Sequence, residues 1–124
     1  MTYDKTSTIF FPIKFPTLNE YTQSQRTNVY SGSGMKKKYT NMVAEWVLGN
    51  KPFNNPVDIE FVWVESDRRR DPDNIIFAKK FILDGLVKAK VLPNDTQEWI
   101  KSFKESWYVD KTHAGVYVTI TEAE

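Results

Sequence analysis

The chain has 124 residues, 40% of them hydrophobic and 15% aromatic, which is enough apolar material for one domain with its own core. Charged residues make up 27% and balance to a formal net charge of +1, so this is not a generally basic DNA-coating protein. The absence of cysteine excludes disulfides, thiolate zinc sites and cysteine nucleophiles, and the single histidine, His113, excludes metal sites that need two.

No apolar run reaches the roughly 18 residues needed to span a bilayer, so no membrane partner is expected. The N-terminal stretch lacks the basic head and apolar middle of a signal peptide. With the missing cysteines this predicts a cytoplasmic protein. The expectation is a single domain over residues 1–124.

Thr8 to Phe15 is aromatic and β-branched and reads as a strand. Pro12 assigns it to a sheet edge or a bulge. Residues 16–34 are polar, rich in Pro, Asn, Ser and Gly, and read as a long loop. Asn19, Tyr21, Arg26, Asn28 and Tyr30 in that loop are candidates for touching a nucleic acid, and a plain connection accounts for them equally well. Met35 to Leu48 carries apolar residues at helical spacing and is closed by Gly49-Asn50. Lys36, Lys37 and Lys38 then fall in its first turn, the unfavourable end for positive charge. Taken alone they fit a solvated face; kept together they fit a phosphate backbone.

Pro56 opens the clearest strand. Val57, Ile59, Phe61 and Trp63 point one way, and Val62 and Val64 make the second face apolar towards its end. That pattern predicts a strand entering the sheet interior. Residues 73–90 read as one helix with an apolar stripe of Ile75, Ala78, Ile82, Leu86 and Ala89. Asp73, Phe77, Lys80, Asp84 and Lys88 lie on the opposite face. Gly85 inside this helix implies a close approach of a strand or a second subunit. Trp99–Val109 and Gly115–Thr121 read as an antiparallel hairpin whose turn contains His113. The order β-α-β-α-β-β predicts an α+β fold: a mixed sheet of about four strands with two main helices packed against it.

The chemistry concentrates between the second strand and the second helix. Arg68-Arg69-Arg70 runs into Asp71-Pro72-Asp73-Asn74, and a second acidic turn, Asn94-Asp95, follows the helix. Pro72 restricts both its own φ and the conformation of Asp71, so the two carboxylates are held rather than loose. Aspartates meeting where loops join regular elements can ligate a hard divalent cation through oxygen. Arginines beside them suit a phosphate. Carboxylates within about 4 Å repel by roughly 4 kcal/mol per pair at an effective dielectric near 20. Either a cation or ion pairs with Arg68–Arg70 can offset that, and the residues alone leave both open. An EF-hand loop does not fit, because Ile75, Ile76 and Ile82 stand where oxygen ligands and a glycine are required. A continuous helix of about 25 Å would separate Asp73 from Asp95 unless it is shorter, bent near Gly85, or completed across a dimer. Three carboxylates around one Mg²⁺ leave a net negative charge, so a phosphodiester would also need a second metal or cationic side chains.

The stretch Arg69-Arg-Asp-Pro-Asp-Asn-Ile75, with Lys79-Lys80, Leu83-Asp-Gly-Leu86 and Leu92-Pro-Asn-Asp95, resembles the RusA family of Holliday junction resolvases, the crossover junction endodeoxyribonucleases. Leu18-Asn-Glu-Tyr21 through Arg26, Tyr30 and Met35-Lys-Lys-Lys38 is similar to its phage-type branch. The resemblance implies a homodimer that nicks four-way DNA junctions symmetrically with Mg²⁺, or Mn²⁺ as a substitute. It implies Asp71, Asp73 and Asp95 as the essential metal-binding carboxylates. The family's functional lysine aligns with Phe77. Lys80, one turn on along the same face, is its expected replacement, with Lys79 second. Arg68, Arg69, Arg70, Lys79, Lys36, Lys37, Lys38 and Arg26 are the expected DNA contacts. Other readings of the same residues are a nucleic-acid binding module without catalysis, a nuclease acting on forks or flaps, and a small phosphoester hydrolase.

Overall fold

A computed structural model describes residues 5–27 and 29–123, with the side chains of 29–31 left aside. The elements are β1 (Thr6–Phe11), α1 (Leu18–Thr27), α2 (Val29–Trp46), β2 (Val57–Glu65), α3 (Pro72–Ile76), α4 (Lys79–Lys88), β3 (Ile100–Val109) and β4 (Gly115–Glu122). The strands form one mixed sheet in the order β1-β4-β2-β3. This is the expected α+β class.

Three expectations are corrected. The first concerns residues 16–34, expected as a loop: residues 18–27 and 29–34 are helical. Thr17 supplies the reason: its hydroxyl accepts a hydrogen bond from the Glu20 backbone N–H (3.1 Å) and contacts the Glu20 carboxylate (3.3 Å). A Thr followed three residues later by Glu is a helix-start signal that outweighs polar composition. Because α2 already starts at Val29, Lys36–Lys38 lie in its middle, and no penalty from the helix dipole applies to them. Asn28 and the side chain of Tyr30 fall outside the described residues.

The second correction is the hairpin. β3 pairs with β2 in parallel, and β4 pairs antiparallel with both β2 and β1. β2 therefore separates the two strands expected to be partners. It takes the central position with Val57, Ile59, Phe61 and Trp63 buried on the helix-covered face and Val64 buried on the other, towards its end. The 110–114 segment steps over its end, and Asp110 N–H donates to Glu65 O (2.8 Å).

The third concerns the helix expected over 73–90. It tightens at Phe77-Ala78, where Ala78, Lys80 and Phe81 each donate to the carbonyl three residues back, dividing α3 from α4. It also ends earlier, at Lys88. Lys90 adopts a left-handed φ of 63°, and Val91 and Leu92 fold back to the Leu86 carbonyl before Pro93 is reached. Phe77 is not on a solvent face. Tyr21 of α1 covers it, with ring centroids 5.2 Å apart.

All the helices pack on the sheet face that carries Ile9, Phe11, Val57, Ile59, Phe61, Val116, Val118 and Ile120. The other face is polar at one end, where Thr8 and Thr119 hydroxyls lie 3.0 Å apart. Gly85 does mark a close approach, and its partner is α2. A Cβ there would stand 2.4 Å from Val43 Cγ1 and 2.9 Å from the Thr40 carbonyl. Gly85→Ala is therefore expected to destabilise by about 1–3 kcal/mol despite alanine's better helix propensity. Adding Val43→Ala should recover part of that loss in a denaturation midpoint, since the clash is shared.

Candidate functional site

The candidate site is built at the end of β2. The outgoing chain meets Glu65, the inward-facing polar residue that continues the series Ile59, Phe61, Trp63. The 66–71 loop then turns on Asp67, whose Oδ1 accepts from the Arg69 backbone N–H (2.9 Å) while Oδ2 stands 3.7 Å from Arg69 Nε. Arg68 and Arg69 are exposed. Arg70 turns inward: Nη2 donates to the Phe15 carbonyl (2.6 Å) and Nη1 sits 3.3 Å from Glu65 Oε1. Its role is to fasten the loop to the β1–α1 connection. Buried Arg70 Nε has no hydrogen-bond partner among the described residues.

Asp71 is the N-cap of α3, extended at φ −75°, ψ 149°, with Pro72 beginning the helix. Its backbone carbonyl receives the Asn74 and Ile75 N–H groups, but its carboxylate makes no capping bond. An aspartate at this position normally spends its side chain on the cap. Asp73 is exposed in the first turn of α3, and Asn74 Oδ1 accepts from the Asn19 N–H (3.2 Å), tying α1 to the site.

The second acidic turn returns to the start of α4. Buried Val91 and Leu92 anchor the reversal, and Asp95 Oδ2 lies 3.3 Å from the Nζ of Lys80, the second residue of that helix. The separation of a full helix length therefore does not arise. Lys80 also reaches Asp84 (3.1 Å), and Asp84 stands 3.9 Å from Lys36 of α2. One chain of alternating charge thus links the lysine run to the acidic turn. The hydrogen bond to Asp84 holds the Lys80 ammonium above its ordinary pKa; burial opposes this, and the charge of Asp84 and the contact with Asp95 reinforce it.

Lys79 behaves differently from Lys80. Its ammonium packs 4.2 Å from the Phe103 ring centroid and 3.2 Å from Glu105, with 20% of the side chain exposed against 55% for Lys80. It joins the helix to the sheet, and Lys80 is the one available to a ligand. Lys36, Lys37, Lys38 and Arg26 are all exposed. Lys36, Lys37 and Lys88 line a groove of about 320 Å³ between α2 and α4.

A groove of about 410 Å³ opens at the C-terminal ends of the parallel strands β2 and β3. Ligands of α/β sheets favour that end. Glu65, Asp67, Arg68, Arg70 and Asp71 form its charged wall, and Ile75, Trp107 and Tyr108 its apolar one. Glu65, Asp67, Trp107 and Tyr108 are site residues the sequence reading missed. A glutamate closing an otherwise inward apolar series was the available signal for Glu65. Trp107 and Tyr108 had none, because their place depends on β3 lying beside β2. Asp71, Asp73 and Asp95 offer hard oxygen donors of the kind Mg²⁺ takes. Among the described residues, however, no three acidic or histidine side chains stand close enough together to hold a metal ion.

Burial pushes the Glu65 carboxyl above its ordinary value of 4.5; Arg70 and then Lys14 oppose this, and Asp67 adds to it. A carboxyl raised on folding contributes stability that is present below 4.5 and declines as pH climbs through the raised value. Carboxyl NMR should place the Glu65 midpoint above 4.5. Arg70→Ala should move it further up, and Asp67→Asn should move it down.

No protein-family model matches the chain, and no curated protein sequence matches it. What fold and site define together is an α+β domain with a charged groove at the ends of its parallel strands. Among the described residues no helix is long and apolar enough to cross a membrane.

Proposed function

We propose that this protein is a metal-dependent DNA endonuclease that cuts branched DNA, four-way junctions above all, and that it works as a homodimer. The observation that carries the reading is the contact between Lys80 and Asp95, which returns the second acidic turn to the helical segment that begins at Asp71 and Asp73. The resemblance to the RusA resolvases supplies the substrate class. A four-way junction has two-fold symmetry, and paired cuts suit a two-fold protein.

In this reading Asp71, Asp73 and Asp95 are the carboxylates that would have to gather around Mg²⁺, which would supply charge neutralisation and an activated water. The chain's own residues do the rest. Exposed Arg68 and Arg69 orient the phosphodiester backbone at the groove mouth. Lys36–Lys38 and Arg26 extend the basic surface for a neighbouring arm. Lys80 offers its ammonium to the negative charge that develops at the scissile phosphate. Like any lysine near its ordinary value it is cationic at neutral pH, and its contacts with Asp84 and Asp95 move it further from losing the proton. Arg70 and Lys79 brace the loop and the helix that carry these groups.

A binding module without catalysis is the second reading, favoured by the lack of an assembled three-carboxylate cluster among the described residues. Nicking of a synthetic four-way junction with and without Mg²⁺ decides between them. Paired nicks that require the metal are expected; binding with no cleavage at any Mg²⁺ or Mn²⁺ concentration would leave the binding module. Fork, flap and plain duplex substrates, run in parallel, test the preference for junctions.

A further inference from the structure

Trp107 is the largest side chain in the groove at the ends of β2 and β3, and the core does not hold it. It stands in register with Trp63 of β2, and the two tryptophans have opposite surroundings. Trp63 is 2% exposed, stacks on Phe61 at 5.5 Å between centroids and donates its indole N–H to Glu105 (3.2 Å). Trp107 is 40% exposed and has neither a ring partner nor a hydrogen bond from its indole N–H among the described residues. Val109 shares its face two residues on and pairs with Glu65, so the ring lies one step from the charged wall of the groove. That wall offers the carboxylates of Glu65, Asp67 and Asp71 as acceptors and exposed Arg68 as a cation. An aliphatic occupant would cover the ring but bury those charges without partners, which is costly. A bare phosphate would meet Arg68 but also three carboxylates, and would leave the ring uncovered. A nucleotide whose base is free of its pairing partner satisfies both walls. The flat face of the base covers the ring, its N–H groups reach the carboxylates, and its phosphate lies at the mouth beside Arg68. About 410 Å³ is room for such a group.

We infer that Trp107 stacks against one unpaired base of a bound DNA strand, with Tyr108 at the rim of the same subsite. The protein then recognises a branch by a base taken out of its stack, in addition to the phosphates of the duplex arms. A base that is already unpaired is the one that costs least to extrude, so the subsite favours branched and single-stranded DNA over duplex. Every base has a π face, so the ring adds affinity without dictating sequence. This deepens the proposed function and rests on its DNA substrate, but needs neither metal nor cleavage.

The test is binding measured without divalent metal. Trp107→Leu keeps apolar bulk on the strand and removes the ring. It should weaken binding of a synthetic four-way junction and of a short single strand about tenfold, and leave plain duplex unchanged. Trp107→Phe should restore most of the loss. Tyr117→Leu removes a ring of similar exposure, 39%, that lies on β4 outside the groove, and should change nothing. An abasic residue walked through the branch positions of the junction should, at one position, weaken the unmodified chain by a similar factor and Trp107→Leu hardly at all, because ring and base form one contact. Equal junction affinity for Trp107→Leu and the unmodified chain overturns the inference. So does an equal loss on plain duplex, or an abasic scan that weakens both chains alike. Coupling between Trp107 and a base without any cleavage in Mg²⁺ supports the subsite and removes only the nuclease reading. A junction that the unmodified chain does not bind removes both.

Discussion

Asp73→Asn should abolish junction nicking while leaving junction binding largely intact. The substitution keeps size and shape at an exposed position in the first turn of α3 and removes one negative charge. Helix start and loop should therefore stand unchanged. Loss of a carboxylate ligand should cost at least about 10³-fold in single-turnover rate, roughly 4 kcal/mol in the barrier. Removing the charge also lowers repulsion against DNA, so affinity measured in Ca²⁺ or without metal should hold or rise. The separation of the two effects is the informative part. A general loss of fold would lower both, and circular dichroism controls for it. Cleavage by Asp73→Asn at the unmodified rate in Mg²⁺ would show that the site has been assigned to the wrong residues.

Phe81→Ala should be the most destabilising single substitution in the helical layer. Phe81 is 1% exposed and touches four other rings: Phe77 at 5.5 Å, Tyr39 at 5.8 Å, Tyr21 at 6.3 Å and Phe15 at 6.4 Å between centroids. These rings come from α3–α4, α2, α1 and the β1–α1 connection, so one side chain joins every helix. Truncating a buried phenylalanine costs about 3–5 kcal/mol, a large share of the roughly 5–15 kcal/mol that holds a domain together. A melting temperature lower by about 10–20 °C is expected. Phe81→Leu fills much of the space and should cost less than half as much. If Phe81→Ala melts within a few degrees of the unmodified chain, the aromatic cluster is not what fastens the helices to one another. Because Tyr21 and Phe77 belong to that cluster, its loss should also loosen α3 and slow any reaction at Asp71 and Asp73, by a different route from Asp73→Asn.

Much of this was legible in the residues and some was not. The alternation from Val57 to Trp63 identifies β2, because a strand covered on one face buries every second residue, and Val62 and Val64 mark the end that enters the sheet interior. The Arg68–Asp73 run identified the charged loop, because proline between two aspartates restricts the backbone whatever surrounds it. Gly85 announced a close approach, although only the fold says that α2 makes it. The polar composition of residues 16–34 points to a loop, but the Thr17–Glu20 pair is a local signal that starts a helix there. Phe81 falls outside an evenly periodic stripe because the helix tightens at Phe77-Ala78, which turns it into the core.

Local chemistry thus determined most of the element types and the charged loop. It could do so because hydrogen-bond capping, side-chain alternation and proline geometry act over a few residues. Only the tertiary structure decided that β3 and β4 lie on opposite sides of β2, that Asp95 returns to Lys80, and that Arg70 and Lys79 turn inward while Arg68, Arg69 and Lys80 face out. Those outcomes depend on which apolar faces bury each other across the whole chain, a competition that no single stretch contains.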